Sequence, residues 1–177
     1  METAKRVEDL DRDQCLDLLW QVPVGRMAFV EAGDDPAARA PRVVAVAFVV
    51  DGGDVVVRTS RGSRLGSLPT GWPVTFEADD FRASSEEGWS VVVHGVLVPE
   101  TDPDRLGRLS GRLDSWAPGV KDRWLRLPLT SVRGRRLVGT EMVVELPDSP
   151  RPRWREPSGW VPATRTPAQY ATDFDGR

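Results

Sequence analysis

The sequence predicts a mainly β chain that closes into an antiparallel, Greek-key-like barrel carrying a few short helices. Three observations lead there. Six or seven short runs rich in valine and aromatic residues recur along the chain, mostly joined by hairpin-length connections rather than βαβ crossovers. The stretch Arg42–Arg64, RVVAVAFVVDGGDVVVRTSRGSR, places two such runs around an Asp-Gly-Gly turn, the strongest short-range hairpin signal a sequence carries. A length of 177 residues with 40% hydrophobic content suits one substantial core and is too short for two.

The elements follow in order. A helix opens the fold, with Asp11 as N-cap and Gln14 three residues on in a capping-box arrangement. Cys15, Leu18 and Leu19 recur at three- and four-residue spacing and give it one apolar face, and Pro23 ends it. Cys15 on that face reads as a small buried hydrophobe, with a reactive thiol as the alternative. Strands are expected near Gly25–Ala32, Arg42–Val50, Asp54–Thr59, Pro73–Ala78, Trp89–Pro99, Arg123–Leu129 and Arg135–Glu145. The Ala-, Asp- and Pro-rich stretch Gly33–Pro41 reads as a surface excursion between the first two. A short helix near Ser63–Leu68 is stopped by Pro69 and Gly71, and a second, near Pro103–Leu113, has Asp102 as N-cap. Residues 1–146 make a single barrel domain. Residues 147–177 form a Pro- and Arg-rich tail that is either disordered or an arm packing Trp154, Trp160 and Tyr170 on a neighbouring surface.

Bulk properties remove whole classes of function. The net charge of −3 and the lack of a helix-turn-helix pattern argue against nucleic acid as a partner. The N-terminal stretch METAKRVEDLDRD carries no apolar signal segment and no run approaches a membrane span, so a cytoplasmic protein is expected. One cysteine and one histidine allow neither an intrachain disulfide nor a cysteine or multi-histidine metal site, so no metal is expected. No Ser-His-Asp set, nucleophile elbow, Walker loop or GxGxxG unit is present.

The residues that carry chemistry gather at the end of the hairpin. Arg58, Thr59, Ser60, Arg61, Gly62, Ser63 and Arg64 bring three guanidiniums and three hydroxyls into seven residues, with one glycine to let the backbone turn. Guanidinium forks and hydroxyl donors suit a phosphate dianion, and the alternative is an ordinary solvated loop. His94 lies mid-strand with the parity of Ser90, either as a hydrogen-bonded wall residue or as a donor into the same cleft. Glu77 sits opposite Val74, Phe76 and Ala78, solvated, paired with an arginine or catalytic. Asp79, Asp80, Glu86 and Glu87 read as loop charges, and Arg133, Arg135 and Arg136 as a basic strand edge that discourages aggregation. The runs VVAVAFVV and WSVVVHGVLV are apolar on both faces, which in a barrel calls for a cover such as a partner subunit.

Four segments in order, VPVGRMAFV, the Arg42–Leu65 hairpin, PVTFEADDF followed by GWSVVVHG, and SWAPGVKDRWLRLPLTSVRGRRL, resemble the pyridoxamine 5′-phosphate oxidase-like flavoproteins of the FMN-binding split-barrel superfamily. The resemblance is closest to the branch widespread in high-GC actinobacteria and covers most of Val22–Leu137. It implies a homodimer of split barrels with two FMN sites between the subunits. Arg58, Thr59, Ser60, Ser63 and Arg64 would clasp the phosphate, with the start of the Ser63–Leu68 helix adding free N–H groups. The backbone of Val43, Val44, Ala45 and Val46 would line the isoalloxazine edge, and Trp89 and Ser90 would reach it from the other subunit. Arg133, Arg135 or Arg136 would close the site. Many relatives carry lysine where Arg64 stands, and the substrate-binding residues of the true oxidases have no match, so a vitamin B6 substrate is not implied.

Two functions remain open. One is an FMN-dependent oxidoreductase acting on a small molecule at the dimer interface, with NAD(P)H as a possible donor. The other is a non-catalytic sensor or storage protein carrying flavin, the deazaflavin coenzyme or haem, or a relative that has lost its cofactor. Haem would need an axial ligand, for which His94 is the one imidazole. The missing catalytic set does not separate them, because a flavin ring carries hydride itself and asks the protein mainly for position and electrostatics.

Overall fold

The computed structural model describes residues 5–31, 40–113 and 118–139. The expected tail of residues 147–177, the boundary at 146 and most of the Gly33–Pro41 excursion lie outside them. Ten elements run in the order β1 (Arg6–Leu10), α1 (Arg12–Leu19), β2 (Val24–Val30), β3 (Pro41–Asp51), β4 (Asp54–Thr59), β5 (Trp72–Arg82), β6 (Glu87–Pro99), α2 (Pro103–Ser110), β7 (Arg123–Pro128) and β8 (Ser131–Val138).

Every strand pairing is antiparallel. The order β6-β5-β2-β3-β4-β7 closes on itself because Val98 and Pro99 of β6 pair with Arg126 and Leu125 of β7. The result is a six-stranded closed barrel. β6 is 13 residues long and serves two neighbours: its last residues close the barrel, while Gly88–His94 pair with β8, which in turn pairs with β1. The hairpin at Gly52 and Gly53 is as expected, with φ of +57° and +83°, the left-handed pair that a two-residue turn needs and glycine supplies without strain.

Alternation along the strands puts Met27, Phe29, Phe48, Val55, Val57, Phe76, Val91, Val93, Leu125 and Leu127 inside. Phe48 and Phe76 meet edge-on with centroids 4.8 Å apart. Gly25 of β2 is what admits Phe76: a Cβ there would run into the ring and stand 2.7 Å from the Glu77 carbonyl oxygen. α1 has its capping box, Asp11 accepting from the Gln14 N–H and Gln14 from the Asp11 N–H, both at 2.9 Å. It lays Cys15, Leu18 and Leu19 on the sheet beside Gly134, where a side chain would collide with the Cys15 sulfur.

Cys15 is fully buried, and burial pushes its thiol up, with the Asp11 charge adding to the effect. A thiol reagent should therefore label Cys15 only after denaturant opens the fold. Labelling of the native protein at the rate of a free thiol would show that α1 does not cover it.

Four expectations change. β1 has no counterpart in the sequence reading, because RVEDL lacks apolar alternation; its pairing with β8 makes it a strand. Asp79 and Asp80 are not loop charges but strand residues opposite Ser90 and Trp89, since the β5–β6 hairpin runs on to Arg82 and Glu87. The short helix expected at Ser63–Leu68 is a succession of turns. Ser63 Oγ donates to the Ser60 carbonyl at 2.8 Å and accepts the Gly66 N–H at 2.9 Å, so the hydroxyl takes over roles a helix gives to the backbone. β8 starts at Ser131, earlier than expected. Among the described residues no helix is long and apolar enough to cross a membrane.

Candidate functional site

β4 and β7 deliver the arginine-and-hydroxyl turn to one end of the barrel. Arg58 and Thr59 pair with Trp124 and Arg123 at the strand ends. Arg58 Nε donates to the Lys121 carbonyl at 2.8 Å and its guanidinium lies over the Trp124 ring, 5.0 Å from the centroid. Those contacts fix the side chain through Nε and its flat face, and among the described residues the terminal nitrogens make no hydrogen bond.

The hydroxyls mostly build the turn. Thr59 Oγ1 and Ser63 Oγ are 2.7 Å apart, and Ser63 is further tied to Ser60 and Gly66 as described. Gly66 is obligatory here, since a Cβ would strike the Ser60 carbonyl oxygen. Arg123 closes the turn from β7 by donating to the Gly66 and Leu68 carbonyls. Arg61 turns away and pairs with Asp122, whose carboxyl is held below its ordinary value first by the Arg61 N–H. Arg64 remains 61% exposed, with Nε 3.7 Å from Glu31 Oε1. Glu31 Oε2 in turn lies 3.4 Å from Arg42 Nε. Arg42 and Glu31 had no place in the sequence reading, because they reach the turn from the ends of β3 and β2 across a connection with no motif of its own.

On the outward face runs a groove of about 550 Å³ lined by Ala28, Val30, Pro41, Trp72, Thr75 and His94 among others. Groove and cluster use neighbouring residues on opposite faces: Pro41 faces outward with the groove, whereas Arg42 shares the side of Val44 and Val46. Trp72 Nε1 donates to the Val30 carbonyl at 2.8 Å and fixes the indole at the rim. His94 Nδ1 and Thr75 Oγ1 are 3.0 Å apart, which leaves Nε2 for another partner. Val43, 63% exposed, lies opposite Ala28 in the register and extends the apolar surface past the groove. Of the β3 stretch named in the sequence, Val43 and Ala45 thus face outward, while Val44 and Val46 pack toward the core.

The remaining residues sit elsewhere. Trp89 is 7% exposed and its indole belongs to the core of its own chain, whereas Ser90 faces the opposite side of β6. Strand alternation keeps the two side chains from sharing one cleft. Arg133 and Arg135 share the outward face with Ser90, while Arg136 and Trp89 line a separate cavity of about 320 Å³. Glu77 is paired with Arg26 at 3.1 Å on the outward face. Within one chain, Ser90 lies on β6 and the Arg58–Arg64 turn follows β4, two strands that do not pair with each other.

The pyridoxamine 5′-phosphate oxidase family model matches residues 11–136. An uncharacterised protein of Mycobacterium tuberculosis is 31% identical over 142 residues, covering 77% of this chain and 90% of its own. Among solved structures, an FAD binding protein of Mycobacterium smegmatis is 32% identical with a TM-score of 0.58, over 72% of this chain and 96% of the other. A putative pyridoxamine 5′-phosphate oxidase of Corynebacterium glutamicum is 26% identical with a TM-score of 0.60, over 76% of this chain and 96% of the other.

Proposed function

The chain belongs to the pyridoxamine 5′-phosphate oxidase family, and on that premise we propose that it binds a flavin nucleotide, FMN, between two copies of itself and acts as an oxidoreductase on a small molecule held over the flavin. The observation that carries this reading is the Arg58–Arg64 turn, which holds the Arg58 guanidinium by its Nε and flat face and leaves Arg64 exposed. A cavity of about 550 Å³ is in the usual range for a small-molecule site. In that turn, Arg58 and Arg64 supply fork-shaped donors for a phosphate. FAD is the second cofactor to try, because the relative at 32% identity is an FAD binding protein and the same arginines suit a pyrophosphate.

The second copy follows from what one chain leaves unfinished. Val30, Val43 and Val96 are exposed on outward-facing strand positions, an apolar surface that a partner would cover. Ser90 lies on β6, which does not pair with β4 in the same chain, and on this reading it reaches the ligand from the partner. Bound flavin would supply hydride transfer. The chain's own work is to clasp the phosphate, exclude water with the groove walls and Trp72, and offer His94 Nε2 as a hydrogen-bond donor or acceptor to the substrate.

Titration of the apoprotein with FMN and riboflavin tests the site. Arg58→Ala should weaken FMN by about 1.5–3 kcal/mol, the worth of a lost charge-assisted bond. Arg64→Ala should cost less, because the side chain is 61% exposed and solvent screens it. Riboflavin, which has no phosphate, should bind both variants as it binds the parent. If both variants hold FMN as tightly as the parent, this turn is not the phosphate site.

A further inference from the structure

A carboxylate stands among the arginines that would hold the phosphate. Glu31 bridges Arg42 and Arg64, one carboxylate oxygen to each, at 3.4 and 3.7 Å. Each guanidinium meets it through Nε alone, without the two parallel bonds that make such pairs strong. Arg42 Nε is buried and has no hydrogen-bond partner among the described residues, so this donor is poorly served by Glu31. The three groups come from three places, Glu31 just after β2, Arg42 in β3 and Arg64 in the turn after β4. Through Glu31 the turn has an ion-pair contact with the ends of β2 and β3.

We infer that Glu31 is a resident counter-ion of the anion site: it holds Arg42 and Arg64 in place when no anion is bound and competes with the ligand's phosphate for them. Arg42 then becomes a third cationic arm beside Arg58 and Arg64, with a buried donor to offer. The inference rests on reading the turn as the flavin phosphate site. Its consequence is electrostatic. A fixed negative charge a few ångströms from a phosphate dianion opposes binding, and water and salt reduce the effect without abolishing it. Tight binding is thereby traded for arginines that stay arranged while the site waits.

The experiment uses the full-length apoprotein titrated with FMN and with riboflavin at low ionic strength, read by flavin fluorescence. Glu31→Gln keeps the shape and removes the charge, and should bind FMN about three- to tenfold more tightly while riboflavin is unchanged. Arg42→Gln should weaken FMN and leave riboflavin alone. The gain in Glu31→Gln should shrink in about 0.5 M salt, where charges are screened over a few ångströms. A thermal melt at the parental temperature shows that each variant is folded, and Glu31→Ser should repeat the result with a smaller side chain. Suppose Arg58→Ala and Arg64→Ala weaken FMN but Glu31→Gln leaves it unchanged, weakens it, or tightens riboflavin equally. The counter-ion role is then overturned and the phosphate site stands. If neither arginine variant affects FMN, the site reading fails and this inference fails with it.

Discussion

Replacing Arg105 with methionine should cost the fold about 3–5 kcal/mol at neutral pH, among the largest losses any single side chain here can cause. Arg105 reaches from α2 to the end of the barrel opposite the turn. There its nitrogens lie 2.9 Å from Asp51, 2.9 Å from Asp54 and 3.0 Å from Glu100. Its side chain is only 16% exposed, and Asp54 and Glu100 are buried. Arg112 and Arg126 contribute, at 2.7 Å from Asp51 and at 3.6 and 3.7 Å from Asp54 and Glu100, but two of those three contacts are long. Removing the central guanidinium leaves three carboxylates facing one another in a partly dry pocket. Burial pushes the Asp51 carboxyl up, and the hydrogen bonds from Arg105 and Arg112 outweigh it and hold it below the ordinary 3.8.

The sign of the pH dependence follows. A depressed carboxyl adds stability above its unfolded pKa, and that share is lost as pH falls through the lower folded value. In Arg105→Met, Asp51 loses one of the two arginine hydrogen bonds that hold its carboxyl down, so its folded pKa moves up. The gap between variant and parent should therefore narrow from pH 7.5 to pH 3.5, as pH falls through the ordinary 3.8. Urea melts at the two values measure it. A penalty below about 1 kcal/mol at pH 7.5, the scale of an exposed pair, or one that grows in acid, would rule out the central role given to Arg105.

That cluster also marks where sequence reading stops. Asp51, Asp54, Glu100, Arg105 and Arg126 are spread over 75 positions, and only closure of the barrel brings them together. Features set within a few residues were readable. The Gly52-Gly53 turn, the Asp11–Gln14 box and the Asp102 cap each depend on local backbone geometry, and each stands where it was expected. β1 was not readable, because its strand state comes from β8 and not from RVEDL itself. The Ser63–Leu68 turns show a local signal outvoted by another: helix propensity gave way to a serine hydroxyl that bonds the backbone. In the turn, Thr59 and Ser63 meet as neighbours in the sequence, while Glu31 and Arg42 come near Arg64 only through the β2–β3 pairing. Trp89 and Ser90 were legible in principle, since neighbours on a strand face opposite ways.

A heterodimer made from Arg58→Ala and Ser90→Tyr subunits should recover about half of the parental FMN capacity, although neither homodimer holds the flavin well. Arg58 and Ser90 lie on β4 and β6, strands that do not pair within one chain. If a ligand uses both, each site takes Arg58, Thr59, Ser63 and Arg64 from one subunit and Ser90 from the other. Ser90→Tyr is the better lesion than Trp89→Ala, because the Trp89 indole is a core residue whose loss should cost roughly 3–5 kcal/mol of stability. Ser90 faces outward, so a tyrosine there fills the cleft and spares the core. In the heterodimer one site joins the intact turn of the Ser90→Tyr chain to the intact Ser90 of the Arg58→Ala chain. The other site carries both lesions. Two affinity tags isolate the mixed species, and flavin per dimer is read from its absorbance after saturation and desalting. Sites built within single chains would each keep one lesion, and the heterodimer would then bind no more FMN than its parents. A protein that sediments as a monomer at micromolar concentration would remove the premise, since an obligate interface commonly buries more than about 2,000 Å² and survives such dilution.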